Sequence, residues 1–217
     1  MKTYTDPHLD ATWLAENDMI VRWIRETGQP FEPVTTDWML DVMDGATGAY
    51  VDVGASTGWF AIPFAKRGHN VIAFEPNARV ATRLRDNCEL NGVSITLHQV
   101  AVSDQVGDVT FAHNARYPLT SGGSLEPSRA RTTFEIVPRV TLDSVIDEPV
   151  TLLKIDVEGH ERAVLRGAER IVERYRPALM LEANTAAHQA VLIEWLQDRQ
   201  YEWTLADERN MLCLPAS

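Results

Sequence analysis

The segment KIDVEGHE, residues 154–161, places five ionisable side chains within eight positions at the end of an apolar run, VTLL. An apolar run of this kind is typical of a strand covered on both faces, and alternate side chains of a strand share a face. Carboxylates and imidazoles at the end of such a strand can remove a proton from a reacting hydroxyl group. Asp156 and His160 are therefore candidate general bases, with Glu158 third. His160 could instead face solvent, and Glu161 is expected to belong to a charged surface where a helix starts.

A second polar pair follows the predicted strand ALMLEAN at 178–184. In a parallel sheet, Glu182 and Asn184 at the end of this strand would lie near Asp156. Two acids and an amide are possible oxygen ligands for Mg²⁺. We prefer to interpret Glu182 as a group that binds a substrate hydroxyl, with no metal ion at the site.

The segment VDVGASTGWF, residues 51–60, predicts a tight turn between a strand and a helix. Gly54 and Gly58 allow unusual backbone angles and the close approach of a ligand. Asp52 stands at the strand end, where its carboxylate can face a cation, and Ala55 and Ser56 complete the turn. Glycine turns of this kind also occur in folds that bind no ligand there.

Glu75 lies 21 residues after Gly54, at the end of the predicted strand NVIAFEP. An acid in this place can accept hydrogen bonds from both hydroxyls of a ribose, although an exposed acid at a strand end is the alternative. A dinucleotide site requires G-x-G-x-x-G, whereas this turn reads GASTG and has Asp52 beside it, which would repel a pyrophosphate. The cationic sulfonium of S-adenosylmethionine would not be repelled. The turn therefore favours a methyl donor, and the alternatives are an NAD(P)-dependent oxidoreductase on a similar sheet and a non-catalytic protein that binds the cofactor without turnover.

Composition and charge limit the class of protein. The chain has 217 residues, 45% of them hydrophobic, and a net charge of −11, so a single domain without a nucleic-acid partner is expected. We find no apolar stretch long enough for a membrane span or a secretory signal, and we expect a cytoplasmic protein without a membrane partner. Cys88 and Cys213 are expected to be free thiols, with Cys88 buried. The oligomeric state is left open.

Strands and helices are expected to alternate along most of the chain, which is typical of a doubly wound α/β fold with a mostly parallel sheet. An N-terminal helical cap of one or two helices over 9–44, forming a lid or packing layer within residues 1–46, precedes a core at 47–217. The predicted strands lie at 49–54, 70–76, 94–102, 150–159, 178–184, 201–206 and 211–214, and the predicted helices at 57–67, 77–91, 160–177 and 185–199.

Residues 103–149 stand outside this alternation and predict an inserted β-hairpin from the runs DVTFAH and TFEIVPRV. Between the runs lies the Gly/Ser-rich loop TSGGSLEP, 120–127, which is expected to be mobile. Its Ser121 and Ser124 are candidates for binding a hydroxylated acceptor, and an ordinary surface loop explains them equally well.

Four segments together resemble the FkbM family of S-adenosylmethionine-dependent methyltransferases: VDVGASTGWF, AFEPN, HQVAVSD and, most specifically, LLKIDVEGHE. The resemblance covers about residues 49–183. It implies a Rossmann-like class I methyltransferase fold with seven strands, the last antiparallel. It also implies S-adenosylmethionine as cofactor and a small-molecule acceptor whose hydroxyl is methylated, such as a sugar or a secondary metabolite.

The resemblance also assigns residues to the cofactor by position. The family commonly shows GAN in the first turn, where this chain has GAS at 54–56, and Ser56 can keep one hydrogen-bonding group there. The implied contacts are Asp52, Gly54, Ala55 and Gly58 for the methionine moiety, Glu75 with Pro76 for the ribose, and Ala101, Val102 and Asp104 for the adenine. Asp104 fits a plain turn residue equally well.

Overall fold

The computed structural model describes residues 2–113, 123–126 and 133–216. A seven-stranded sheet forms the centre, and only its last strand in the chain runs against the others. Across the sheet the strands are β11 (Tyr201–Leu205), β12 (Asn210–Pro215), β10 (Ala178–Glu182), β9 (Val150–Ile155), β3 (Ala49–Val53), β4 (Val71–Phe74) and β5 (Thr96–His98). This confirms the predicted Rossmann-like α/β sheet with an antiparallel last strand.

Helices cover both faces of this sheet, as a buried parallel sheet requires. They are α1 (Met19–Thr27), α2 (Pro33–Met43), α3 (Ala61–Lys66), α4 (Ala78–Asn91), α5 (Leu142–Val145), α6 (Glu161–Arg166), α7 (Glu169–Tyr175) and α8 (Ala186–Asp198). None of the helices in the described ranges has the length and apolar content that crossing a bilayer would require.

Alternate residues of the central strands enter two separate cores, one on each face of the sheet. Val51 and Leu153 pack with α6, α7 and α8, whereas Tyr50 and Leu152 pack with α1, α2 and α3. Lys154 lies two residues after Leu152 on the same face of the sheet, so its side chain points towards the N-terminal helices. The alternation thus places the one ionisable side chain of β9 on the face that the first helices cover.

The N-terminal segment differs from the predicted helical cap because it begins with a hairpin. Strands β1 (Thr3–Asp6) and β2 (Ala11–Leu14) pair antiparallel, and two helices follow at 19–27 and 33–43. Ala11 and Trp13 are fully buried while Thr12 and Leu14 are not, a period of two that is typical of a strand and not of a helix.

The predicted strand at 94–102 is divided between two sheets. Its first part is β5, and its second part, β6 (Ala101–Val102), pairs with the insertion. The insertion forms the predicted hairpin from β7 (Gly107–His113) and β8 (Thr133–Val140), so that β6, β8 and β7 make a second, three-stranded sheet. The loop residues 114–122 and 127–132, with Ser121 among them, lie outside the described residues.

Two helix boundaries also differ from prediction. The helix expected from Thr57 begins at Ala61, so Pro63 lies in the first turn, where a helix has no intrahelical acceptor for an N–H group. The helix expected over 160–177 is divided at Gly167 into α6 and α7. A Cβ on Gly167 would lie 2.0 Å from the backbone oxygen of Ser103, so this position tolerates no side chain.

We predict that Gly167→Ala lowers the free energy of unfolding by about 3 kcal/mol, because the backbone of the insertion must move away from the new methyl group. Gly28→Ala is the control, since Gly28 has space around it and the change costs only about 1 kcal/mol for its left-handed backbone. Denaturant unfolding measures both. Equal losses in the two variants would contradict the close packing at Gly167.

Candidate active site

A cleft with a volume of about 640 Å³ opens at the carboxyl ends of β3, β4, β9 and β10. Ligands bind at this edge in open α/β sheets, and the volume is in the range of small-molecule sites. Most of the predicted site residues line it: Gly54, Ala55, Ser56, Glu75, Pro76, Ala101, Val102, Ser124, Asp156, Glu158, His160 and Glu182.

Three predicted cofactor residues do not line the cleft. The Gly58 position faces the core, since a Cβ there would lie 2.3 Å from Leu84 Cδ1. Asp104 accepts hydrogen bonds from Arg166 Nε at 3.0 Å and Nη2 at 2.7 Å, which is the behaviour of a turn residue on the surface. The third, Asp52, is fully buried beneath the cleft.

The glycine turn brings two strand ends into direct contact. Gly54 has a φ of +83°, and a Cβ on it would lie 1.9 Å from the backbone oxygen of Asp156. Gly54 N–H and Ala55 N–H both donate to the Phe74 carbonyl, at 3.0 and 3.1 Å. A glycine is therefore required here, both for its backbone angle and for the approach of β9.

Glu75 connects the glycine turn to the end of β4. Its Oε2 accepts from Ser56 N–H at 3.1 Å and its Oε1 accepts from Asn77 N–H at 2.9 Å. Burial raises the pKa of Glu75 to about 7, although these two hydrogen bonds oppose the shift. Each oxygen keeps a second lone pair, so the carboxylate can still accept from a ligand in the cleft.

An ion cluster lies under the middle of the cleft. Lys154 Nζ lies 3.2 Å from Asp52 Oδ1, 3.4 Å from Asp156 Oδ2 and 3.4 Å from the Gly54 carbonyl oxygen. Burial alone would lower the pKa of Lys154, but the carboxylates of Asp52 and Asp156 raise it above its usual value. The cation that Asp52 faces is thus this ammonium group rather than a ligand.

Asp156 also contacts a second carboxyl group, that of Glu182. Burial, followed by the charges of Asp156 and Glu158, raises the pKa of Glu182 well above its usual value, and a hydrogen bond to Asp156 adds to the shift. Proximity of the two carboxyls thus disfavours the charged form of Glu182. Arg209 Nη1 donates to Glu182 Oε1 at 3.2 Å.

The three residues of the Mg²⁺ alternative, Asp156, Glu182 and Asn184, lie together at the ends of β9 and β10. Asn184 directs its amide nitrogen, not its oxygen, towards Glu182 Oε2 at 3.0 Å. Within residues 2–113, 123–126 and 133–216, no three His, Cys, Asp or Glu side chains converge as metal ligands.

Both ring nitrogens of His160 already have partners. Nε2 lies 2.9 Å from Ser103 Oγ, and Nδ1 lies 2.8 Å from Glu126 Oε1. Ser124 Oγ lies 3.2 and 3.0 Å from the carbonyl oxygens of Val157 and Glu158. These residues therefore connect the insertion to the loop after β9, and His160 is less suited than Asp156 to accept a substrate proton.

Glu161 does not belong to a charged surface, and that prediction is wrong. Its side chain is fully buried, and its Oε1 accepts from Val157 N–H at 3.0 Å and from Gly159 N–H at 3.2 Å. Burial raises its pKa to about 7. The carboxylate holds the loop that carries Glu158, whose φ is +58°. Nothing in the local sequence distinguishes this residue from an exposed acid at a helix start.

Sequence reasoning also missed one wall of the cleft. Residues of α1 and of the connection to α2 line it, among them Trp23, Phe31 and Glu32, together with the β11–β12 turn at 207–209. The prediction of a lid or packing layer pointed to the N-terminal segment without naming these side chains.

The comparisons with known proteins agree with this geometry. A family model described as the methyltransferase FkbM domain matches residues 52–203. The chain belongs to the FkbM methyltransferase family. The resemblance carried by the four sequence segments is therefore confirmed.

Among curated proteins, this FkbM chain is similar to the hexuronic acid methyltransferase AglP of Haloferax volcanii, with 28% identity over 120 residues. The match covers 54% of this chain and 48% of AglP, so the chain spans about half the length of that relative.

Solved structures show the same fold. A methyltransferase FkbM from Methylobacillus flagellatus has a TM-score of 0.58 and 19% identity, and the match covers 77% of this chain and 43% of that one. A putative methyltransferase from Streptococcus mutans, solved with S-adenosylhomocysteine, has a TM-score of 0.53 and 10% identity, covering 82% and 96%. At these identities the likeness concerns the fold.

We predict that Glu161→Ala lowers the free energy of unfolding by about 2–4 kcal/mol, because the N–H groups of Val157 and Gly159 lose their buried acceptor. Glu161→Gln keeps one side-chain oxygen for both donors and should cost less than about 1 kcal/mol. Denaturant unfolding compares them with Glu173→Ala, which removes an exposed acid on α7. If Glu161→Ala lost no more than Glu173→Ala, the loop would not depend on this carboxylate.

Proposed function

We propose that this chain transfers a methyl group from S-adenosylmethionine to a hydroxyl group of a small molecule, with a sugar as the preferred acceptor class. The observation that carries the proposal is that one cleft contains two acids, Glu75 and Asp156, at different strand ends. Glu75 lies at the end of β4 with free lone pairs, and Asp156 lies two strands away at the end of β9. Glu75 is suited to bind a nucleoside, and Asp156 is suited to accept the proton of a reacting hydroxyl.

The cleft residues fit the cofactor. Gly54 leaves no side chain between the turn and the end of β9, and the Glu75 carboxylate is positioned to accept from ribose hydroxyls. Ala101 and Val102 offer apolar surface for an adenine. A dinucleotide fits less well, because Ser56 N–H, a natural phosphate donor, already donates to Glu75. When bound, S-adenosylmethionine supplies a methyl group activated by the sulfonium.

The chain's own residues then align and deprotonate the acceptor. Alignment of a hydroxyl behind the methyl group can contribute about 7–11 kcal/mol, more than the roughly 3–5 kcal/mol of a general base. Asp156 is the base we favour, since the Lys154 ammonium at 3.4 Å and the adjacent Glu182 carboxyl keep its carboxylate in place. The sugar preference is supported by the similarity to a hexuronic acid methyltransferase.

The cofactor assignment predicts that Glu75→Gln weakens binding of S-adenosylhomocysteine by about tenfold to a hundredfold, because a charged acceptor is lost. Isothermal titration calorimetry measures the dissociation constant, with exposed Glu89→Gln on α4 as control. NAD(P) is titrated in parallel. The assignment would be contradicted if Glu75→Gln bound S-adenosylhomocysteine with unchanged affinity. It would also be contradicted if the wild-type protein bound NAD(P) more tightly than S-adenosylhomocysteine.

The same titration has a defined dependence on pH. Ribose hydroxyls donate to the ionised form of Glu75, whose pKa in the free protein is about 7. Affinity should therefore fall as the pH drops through 7, by about tenfold between pH 8 and pH 6. Glu75→Gln should show no such slope.

The base assignment predicts that Asp156→Asn lowers kcat by about 10²–10⁴-fold. Binding of S-adenosylhomocysteine should change little, because the variant keeps the shape of the side chain. Methyl transfer to a panel of sugars and phenols measures kcat, and exposed Asp108→Asn in β7 is the control. A near-normal kcat in Asp156→Asn would make this acid structural.

A further inference from the structure

The wall of the cleft that faces Asp156 comes from residues outside the matched FkbM domain. Met19, Ile20 and Trp23 of α1 and residues 30–33 line it, all of them before residue 52, where the family match begins. In the proposed function the ribose lies near Glu75 at the end of β4 and the adenine near Ala101 and Val102 of β6. This N-terminal wall, residues 19–33, therefore borders the part of the cleft left for the acceptor.

Aromatic rings give this wall a rigid apolar surface. Phe31 meets Trp23 edge to face at 5.8 Å and Trp59 edge to face at 6.0 Å. Trp59 itself stacks on the buried Trp13 at 4.3 Å. Trp23 is 40% exposed, so part of its ring is open to a ligand. Such a surface suits the apolar C–H face of a ring compound.

Glu32 brings a carboxyl group to the same wall under backbone strain. Its φ is +43°, a left-handed conformation that is unfavourable for a glutamate, and its side chain is only 14% exposed. Burial, followed by the charge of Asp156, raises its pKa to about 7. Strain of this kind is found where a side chain has a function in a site.

Carboxyl groups outnumber cations at this end of the cleft among the described residues. Glu32, Asp156, Glu182 and Asp207 line it, with Lys154 and Arg209 as the cations. Lys154 is already paired with the buried Asp52, and Arg209 lies 3.2 Å from Glu182 and 3.9 Å from Glu32. An anionic acceptor would therefore meet carboxylates, and the two cations that the described residues place here already have acidic partners.

We propose that the N-terminal wall is the acceptor subsite and that it selects uncharged, hydroxylated ring compounds, with Trp23 as the stacking surface and Glu32 as the group that excludes anions. The inference rests on the proposed methyl transfer. It differs from the activity of AglP, whose name specifies a hexuronic acid, an anionic sugar.

The test compares matched pairs of acceptors that differ only in charge: the methyl glycosides of glucose, galactose and mannose against those of the corresponding uronic acids. Binding to the protein loaded with S-adenosylhomocysteine is measured by saturation-transfer NMR, and methyl transfer by release of that product. We expect at least one neutral glycoside to bind and to exceed its uronic acid in kcat/KM by about tenfold or more.

Two variants address the named residues. Glu32→Gln should reduce the preference for the neutral member by about tenfold, whereas Glu26→Gln on the exposed side of α1 should not. Trp23→Ala should lose neutral-glycoside binding, whereas Trp203→Ala, 39% exposed on β11, should keep it.

Preference for a uronic acid, binding of no neutral glycoside, or equal behaviour of the variants and their controls would overturn the inference. These results leave the proposed function standing as long as S-adenosylhomocysteine still binds. Loss of that binding in the wild-type protein would instead refute the proposed function.

Discussion

One buried ammonium group, that of Lys154, determines how the cleft is built. It is 2% exposed and lies between the carboxylates of Asp52 and Asp156 in a sheet that is otherwise apolar around it. Removing one partner of a buried pair typically costs about 3–5 kcal/mol, so neither Lys154 nor the fully buried Asp52 can change alone. The pair ties the end of β3, where the glycine turn starts, to the end of β9, where the candidate base lies.

Local patterns were enough to predict the parts of the site that depend on single strand ends. Gly54 and Glu75 follow apolar strands directly, and parallel strands end at one edge of a sheet. The same logic placed Asp156 and Glu182 side by side. It could not tell that the cation facing Asp52 is a lysine of the neighbouring strand, because register between distant strands is set by packing and not by either segment alone.

The features that the sequence did not reveal depend on contacts between distant segments. The sequence of β2 alone gives only a weak strand signal. In the structure its Thr12 and Leu14 N–H groups donate to the side-chain oxygens of Asn91 and Asn87 of α4, at 2.8 and 2.9 Å. In the sequence Glu161 resembles a solvent-exposed acid. In the structure His188 of α8 covers it, with His188 Nε2 3.2 Å from Glu161 Oε2. Tertiary contacts decide such positions and override local propensity.

The absence of a side chain at Gly54 has a consequence for how this protein can diverge. Because bare backbone touches backbone between the cofactor turn and the candidate base, neither half of the cleft can be reshaped without displacing the other. New acceptor preferences must therefore evolve at the periphery, in the first helices and the β11–β12 turn. Those segments can change in sequence while the glycine turn and the candidate base stay the same.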